Sequence, residues 1–228
     1  PKKKLFWKRV RALLSWATLV LLVGYSYEHY GDVQTKTVQV PVARLPECMD
    51  GLRVAVAADL HAGTLADRGD IEELVERLNA LGPDVVVVVG DVSDGEPGGE
   101  AGEILAPLAD VEAPEGKFFV TGNHEDFYAD AEEWEVYMEG LGYTVLANGL
   151  AEITRGGDAA CRLQVAGVRD GNGGGGGGGA DLDGALAGLD PGAGGSALLL
   201  AHQPRVFAAA RERGRGVGLQ ISGHTHGG

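Results

Sequence analysis

Residues 85–91 read VVVVVGD. Five β-branched residues in a row, with no polar alternation, describe a strand buried on both faces, as at the centre of a parallel sheet. The run ends in a glycine and an aspartate, so the buried strand delivers a carboxylate to its C-terminal end. Just upstream, residues 70–84 read DIEELVERLNALGPD, with Ile71, Leu74, Val75 and Leu78 on one helical face and Gly82-Pro83 as the stop. A buried strand preceded by an amphipathic helix predicts an α/β fold.

The same design repeats outward in both directions. LRVAVAADLH (52–61) is a short apolar run ending in Asp59 and His61. GKFFVTGNHED (116–126) leads through a glycine turn into Asn123 and His124. SALLLAHQP (196–204) ends in His202, and GLQISGHTHGG (218–228) ends in His224 and His226. Each polar cluster follows a predicted strand, and open α/β sheets place their ligands beyond the carboxyl ends of their strands. Of 6 histidines, only His29 falls outside this set.

The residue types point to metal chemistry. Imidazole suits Zn, Fe and Mn, whereas carboxylate and amide oxygens suit harder ions, so a mixed set fits first-row divalent metals. Asp59, His61, Asp91, Asn123, His202, His224 and His226 are more donors than one such ion takes from protein. Two ions about 3.5–4 Å apart could hold a hydroxide between them and clamp both oxygens of an in-line displacement at phosphorus. No serine or cysteine nucleophile is needed. Ser93 and Ser222 flank candidate ligands, but neither lies in a GxSxG elbow.

In chain order, DLH, GDVSDG, GNHED, AHQP and GHTHGG resemble the calcineurin-like metallophosphoesterases. The resemblance covers residues 51–228 and implies a four-layer sandwich of two mixed β-sheets flanked by helices. It implies that Asp59, His61 and His226 hold one divalent ion, that Asn123, His202 and His224 hold the other, and that Asp91 bridges them. His124 would then be the catalytic residue over the phosphoryl group, stabilising charge and protonating the leaving oxygen. The ions expected are Mn, Zn or Fe, and the substrates phosphate mono- or diesters. Family members continue past GHTHGG, so C-terminal strands are expected to be missing from this chain. The competing expectation is a catalytically silent scaffold on the same fold, which complete ligand positions disfavour.

The first thirty residues are a separate object. Six basic residues precede an uncharged stretch from Ala12 to Tyr27, bordered by Trp7, Trp16, Tyr25, Tyr27 and Tyr30. A helix over that stretch rises about 24 Å, slightly short of a ~30 Å hydrocarbon core. It is read as a membrane anchor with a cytoplasmic N-terminus and an extracytoplasmic catalytic domain. A cleaved signal sequence is the alternative. This placement resembles the membrane-anchored or exported branch of the family and favours lipid-linked or cell-envelope substrates.

Residues 31–50 alternate polar and β-branched types up to Pro41 and are expected to be a connector with an edge strand. Asn148-Gly149 is a hairpin signal between antiparallel strands. The glycine-rich insertion 171–195 carries no GxxxxGK[ST] pattern and is expected to be a structureless surface loop. Cys48 and Cys161 are too few for a disulfide framework and are read as two unpaired small hydrophobes, with a single bridge as the alternative. After the basic start, 13 basic residues face 33 acids, which argues against nucleic acid as a partner.

Overall fold

A computed structural model describes residues 2–29, 33–158, 160–170, 179–190 and 197–226. The chain divides into two units, residues 1–39 and 40–228.

In the first unit, α1 (Lys2–His29) is one continuous helix. Its length suffices for a membrane, but its composition does not. No helix among the described residues is long and apolar enough to cross one. Basic residues occupy the opening turns, and Ser15, Thr18, Gly24 and Ser26 dilute the apolar run, so the expected spanning anchor is not supported. The expected edge strand is also absent, since residues 33–46 contain no strand.

The second unit contains two four-stranded sheets. The first has strand order β1 (Val54–Ala57), β2 (Val85–Val89), β3 (Lys117–Val120) and β4 (Thr144–Val145), all parallel. The second has order β5 (Gly149–Thr154), β6 (Arg162–Val168), β7 (Ala197–Ala201) and β8 (Val217–Ile221). There β5 runs antiparallel to β6, and the remaining pairs are parallel. Thus the second sheet is mixed and the first is purely parallel.

The valine run shows how the layers stack. All five valines of β2 are buried. Val86 and Val88 face α2 (Arg68–Leu81), α3 (Glu100–Leu105) and α5 (Ala131–Gly140), meeting Ile71, Leu105, Trp134 and Met138. Val85, Val87 and Val89 face the other way, onto Ile153, Leu163, Val165, Leu198 and Leu200 of the second sheet. The far side of that sheet, through Ala166, Val168 and Leu199, packs on α6 (Leu182–Ala187) and α7 (Val206–Arg213). Helix, sheet, sheet and helix give four layers, as the resemblance implied. α2 itself is held at both ends: Asp67 caps Gly69 and Asp70, and Gly82 closes the helix in the left-handed conformation.

Three local expectations need correction. Asn148-Gly149 is not a hairpin, because β4 and β5 belong to different sheets. Asn148, at φ 54°, is instead where the chain changes sheet, and its side-chain oxygen accepts from the Arg169 and Asp181 amides. The glycine-rich insertion contains α6, capped by Asp181 and buried through Leu182, Ala185 and Leu186; residues 171–178 and 191–196 lie outside the described residues. Finally, Cys48 and Cys161, 113 residues apart, form a disulfide with Cα atoms 5.8 Å apart.

Candidate metal centre

The two sheets present the C-terminal ends of their parallel strands at a common edge. Asp59 and His61 follow β1, Asp91 follows β2, Asn123 and His124 follow β3, His202 follows β7, and His224 and His226 follow β8. The loops continue the ladder beyond the strands: the Asp59 amide donates to the Gly90 carbonyl, His61 to Asp91, and Ala62 to Val92. Such bonds fix where each side chain starts.

Close backbone approach explains the glycine turns. Gly90 sits at φ 82°, and a Cβ there would lie 2.5 Å from the Gly122 amide nitrogen. A Cβ on Gly122 would in turn strike the Asp91 carboxylate. The GD and GN turns are therefore pressed together in a way only glycine permits.

Beneath them lies Glu125, a fully buried carboxylate that sequence reading passed over. It accepts the amides of Asp91 (3.0 Å), Val92 (2.7 Å) and Gly122 (2.5 Å), tying the β2 loop to the β3 loop. Burial and the neighbouring Asp91 charge push its pKa up to about 7, against those three hydrogen bonds.

Three groups of donors converge above this clamp. Asp59, His61 and His226 form one, Asp91, His202 and His224 another, and His61, Asp94 and His124 a third; within each, the donor atoms lie within 4.8 Å of one another. The first two groups match the partition implied by the resemblance, apart from Asn123. Asp91 lies between them, with Oδ2 3.1 Å from His202 Nε2 and 3.9 Å from His61 Nε2. The imidazole nitrogens of His61 and His226 face each other at 3.3 Å, and those of His202 and His224 at 3.1 Å. Five of the seven expected ligands (Asp59, His61, Asp91, His224 and His226) have positive φ between 47° and 70°. Non-glycine residues rarely adopt this conformation, and its concentration at one place marks a functional site.

Two observations bear on whether cations fit. Asn123 Oδ1 is buried without a hydrogen-bond partner, which is costly unless something electropositive meets it. The surroundings of His202 also favour positive charge. Burial opposes its protonation, but the bond to Asp91, the Val89 carbonyl and the Asp91 and Asp59 charges outweigh that, raising the pKa to about 9. Oxygen and imidazole donors, a lone amide oxygen and a field that favours positive charge suit a pair of divalent ions.

The third group contains the other residue that sequence reading missed. Asp94 Oδ1 lies 2.8 Å from His61 Nδ1 and 2.5 Å from His124 Nδ1. Burial works against its ionisation, but hydrogen bonds from His61, Thr64 and His124 hold its pKa below the usual carboxylate value. A carboxylate can only accept here, so both rings carry hydrogen on Nδ1 and turn Nε2 toward Asp91. The only signal for Asp94 was its place in GDVSDG, three residues after Asp91. In the final turn, Gly223 passes close to Ala58 and Asp59.

Comparison with known proteins agrees with this geometry. The calcineurin-like phosphoesterase family matches residues 52–228. A transmembrane protein with metallophosphoesterase domain from Danio rerio is 34% identical over 194 residues, covering 84% of this chain and 44% of its own length. Its Bos taurus counterpart is 35% identical over 198 residues, with the same coverage of 84% and 44%. An uncharacterized metallophosphoesterase of Helicobacter pylori is 29% identical over 224 residues, covering 97% of this chain and 57% of its own. The chain thus spans less than half the length of the two vertebrate relatives. On the family match, the donor set and the four-layer fold together, the chain belongs to the calcineurin-like phosphoesterases.

Proposed function

We propose that this chain carries the catalytic centre of a metal-dependent phosphoesterase acting on phosphate mono- or diesters. The observation that supports this most is the buried, unpartnered Asn123 oxygen, on the residue preceding His124, whose amide donates to Asp91 at 2.9 Å. In this reading Asp59, His61 and His226 hold one divalent ion, Asn123, His202 and His224 hold the second, and Asp91 serves both. Mn, Zn or Fe would supply Lewis acidity there, acidifying water and neutralising phosphoryl charge.

The remaining chemistry belongs to His124 and Asp94. Asp94 holds the ring by Nδ1, Nε2 turns toward Asp91 at 3.9 Å, and His124 is part-exposed where a substrate can reach it. Protonated Nε2 hydrogen-bonds a phosphoryl oxygen. As the bond from phosphorus to the leaving oxygen breaks, the oxygen of a water that has given one proton to solvent bonds to phosphorus, and His124 gives its proton to the departing alkoxide and is reprotonated from solvent. The Asp94 carboxylate balances the ring's charge until then.

The finer part of the proposal concerns place. We infer an extracytoplasmic domain at a membrane surface, working on lipid-linked or cell-envelope esters. Supporting it are the vertebrate relatives named as transmembrane proteins, the basic start of α1, and a disulfide of the kind that persists in oxidising compartments. α1 itself is not apolar enough to span a bilayer.

The central experiment is metal removal. Chelator-treated protein is expected to lose hydrolysis of phosphate esters and to regain it with Mn, Zn or Fe, followed by metal analysis and turnover. Full activity in demonstrably stripped protein overturns the proposal.

A further inference from the structure

We infer that Phe127 and Tyr128 are the recognition surface for the leaving group, and that this group is a hydrocarbon-bearing alcohol, as in a lipid phosphoester. The inference rests on the phosphoesterase reading and adds the substrate class. Its ground is α4 (Asn123–Tyr128), a helix of six residues. The first two are the expected ligand Asn123 and the expected acid His124, the third is the buried clamp Glu125, and the last two are aromatic. Phe127 is 58% exposed and Tyr128 50%. Both rings touch His124, with centroids 5.8 Å and 5.6 Å from its ring.

Large aromatic side chains left in water beside a reactive imidazole leave apolar surface to be covered. What covers it follows from the position of His124. If His124 protonates the leaving oxygen, the carbon atoms bonded to that oxygen must pass within a few ångströms of the ring. Its edge neighbours, Phe127 and Tyr128, are then the next surface those atoms meet. Neither ring offers charge, so a polar alcohol such as glycerol gains little there, whereas each methylene laid on them leaves water. The acidic body, with 33 acids against 19 basic residues over the whole chain, disfavours polyanionic leaving groups such as nucleic acid strands.

Straight-chain alkyl phosphates test this cleanly, because butyl, hexyl and octyl phosphate have nearly equal leaving-group chemistry and differ only in hydrocarbon length. With the metal-loaded full chain, kcat/KM is expected to rise on the order of 2- to 4-fold per methylene over the first few added. In Phe127→Ser/Tyr128→Ser the octyl-to-butyl ratio should fall toward 1. Adenosine monophosphate serves as the planar alternative. If the rings instead give selective preference for it, the surface is a base platform and the hydrocarbon assignment is wrong. Hydrolysis with a flat chain-length profile in the wild type overturns the inference while leaving the phosphoesterase reading intact. If no ester is cleaved, that reading fails, and calorimetric binding of octylphosphonate against butylphosphonate still decides whether the rings hold hydrocarbon. Both rings are exposed, so thermal melting should show the variant folded.

Discussion

At the scale of single residues, Asp94 carries the sharpest consequence. One carboxylate oxygen holds both the expected ligand His61 and the expected acid His124. Substituting Asp94→Asn replaces an obligate acceptor with an amide that can turn either end toward the rings, so their tautomers are no longer fixed. Turnover is expected to fall by roughly 10²-fold or more, within the range that general acid help supplies. If Asp94 acts mainly through His124, the loss should be far smaller in a His124→Ala background, on the order of 3-fold. A double-mutant cycle run on a leaving-group series measures this, with metal content followed in parallel to separate the His61 contribution. Additive losses would show that Asp94 works by another route. A deficit that shrinks for nitrophenyl esters, which need little protonation, would place the effect on proton transfer. The sequence singled out the seven expected donors and His124 because imidazoles and carboxylates at strand ends are chemically conspicuous. It missed Asp94 and Glu125 because acidic residues are common in this chain, and only the packing of two loops shows what a given carboxylate accepts.

Among the elements, the turn after β2 and the start of α4 form one device, and Glu125 is its fastening. Three amides from two loops converge on a fully buried carboxylate. Glu125→Ala would orphan all three, at about 1–3 kcal/mol each, so a loss of several kcal/mol is expected in urea unfolding. Glu125→Gln keeps the shape and offers one acceptor oxygen instead of two. It is expected to fold yet bind metal about 10–100-fold more weakly, as seen when groups that orient ligands are altered. Equilibrium dialysis checks this; unchanged affinity with lowered stability would make Glu125 a purely structural brace. The elements that sequence could identify were those with unmixed patterns, the apolar runs that form β1, β2, β3, β7 and β8 and the amphipathic α2. Those it misjudged depended on partners elsewhere. Residues 33–46 form no strand despite their alternation, Asn148 turned out to join two sheets, and α6 was hidden by the glycine-rich sequence around it.

For the whole molecule, the disulfide is the testable feature. It joins Cys48, just before β1, to Cys161, just before β6, so it staples the two sheets at the N-terminal ends of their strands. No spacing rule reveals a bond across 113 residues, which is why the sequence favoured two unpaired cysteines. Closing a loop of that size is worth on the order of 4–5 kcal/mol in the chain-entropy account. Cys48→Ser/Cys161→Ser should lose about 2–5 kcal/mol in denaturant. Thiol alkylation of the native protein in cells should find both cysteines blocked if the domain is exported, and both free thiols would argue against that compartment. At the opposite edge, two of the three donor groups draw on both sheets: Asp59 and His61 with His226, and Asp91 with His202 and His224. On the proposed reading the sandwich is therefore tied along two opposite rims, covalently at one and through shared ion donors at the other, with a slab of interlocked side chains between. Sliding one sheet past the other by a single residue would pull donors of both groups out of reach together. Registry between the sheets, more than the shape of any loop, would then set how finely the centre is tuned, and mechanical shear anywhere in the slab would be felt there as a loosened ion.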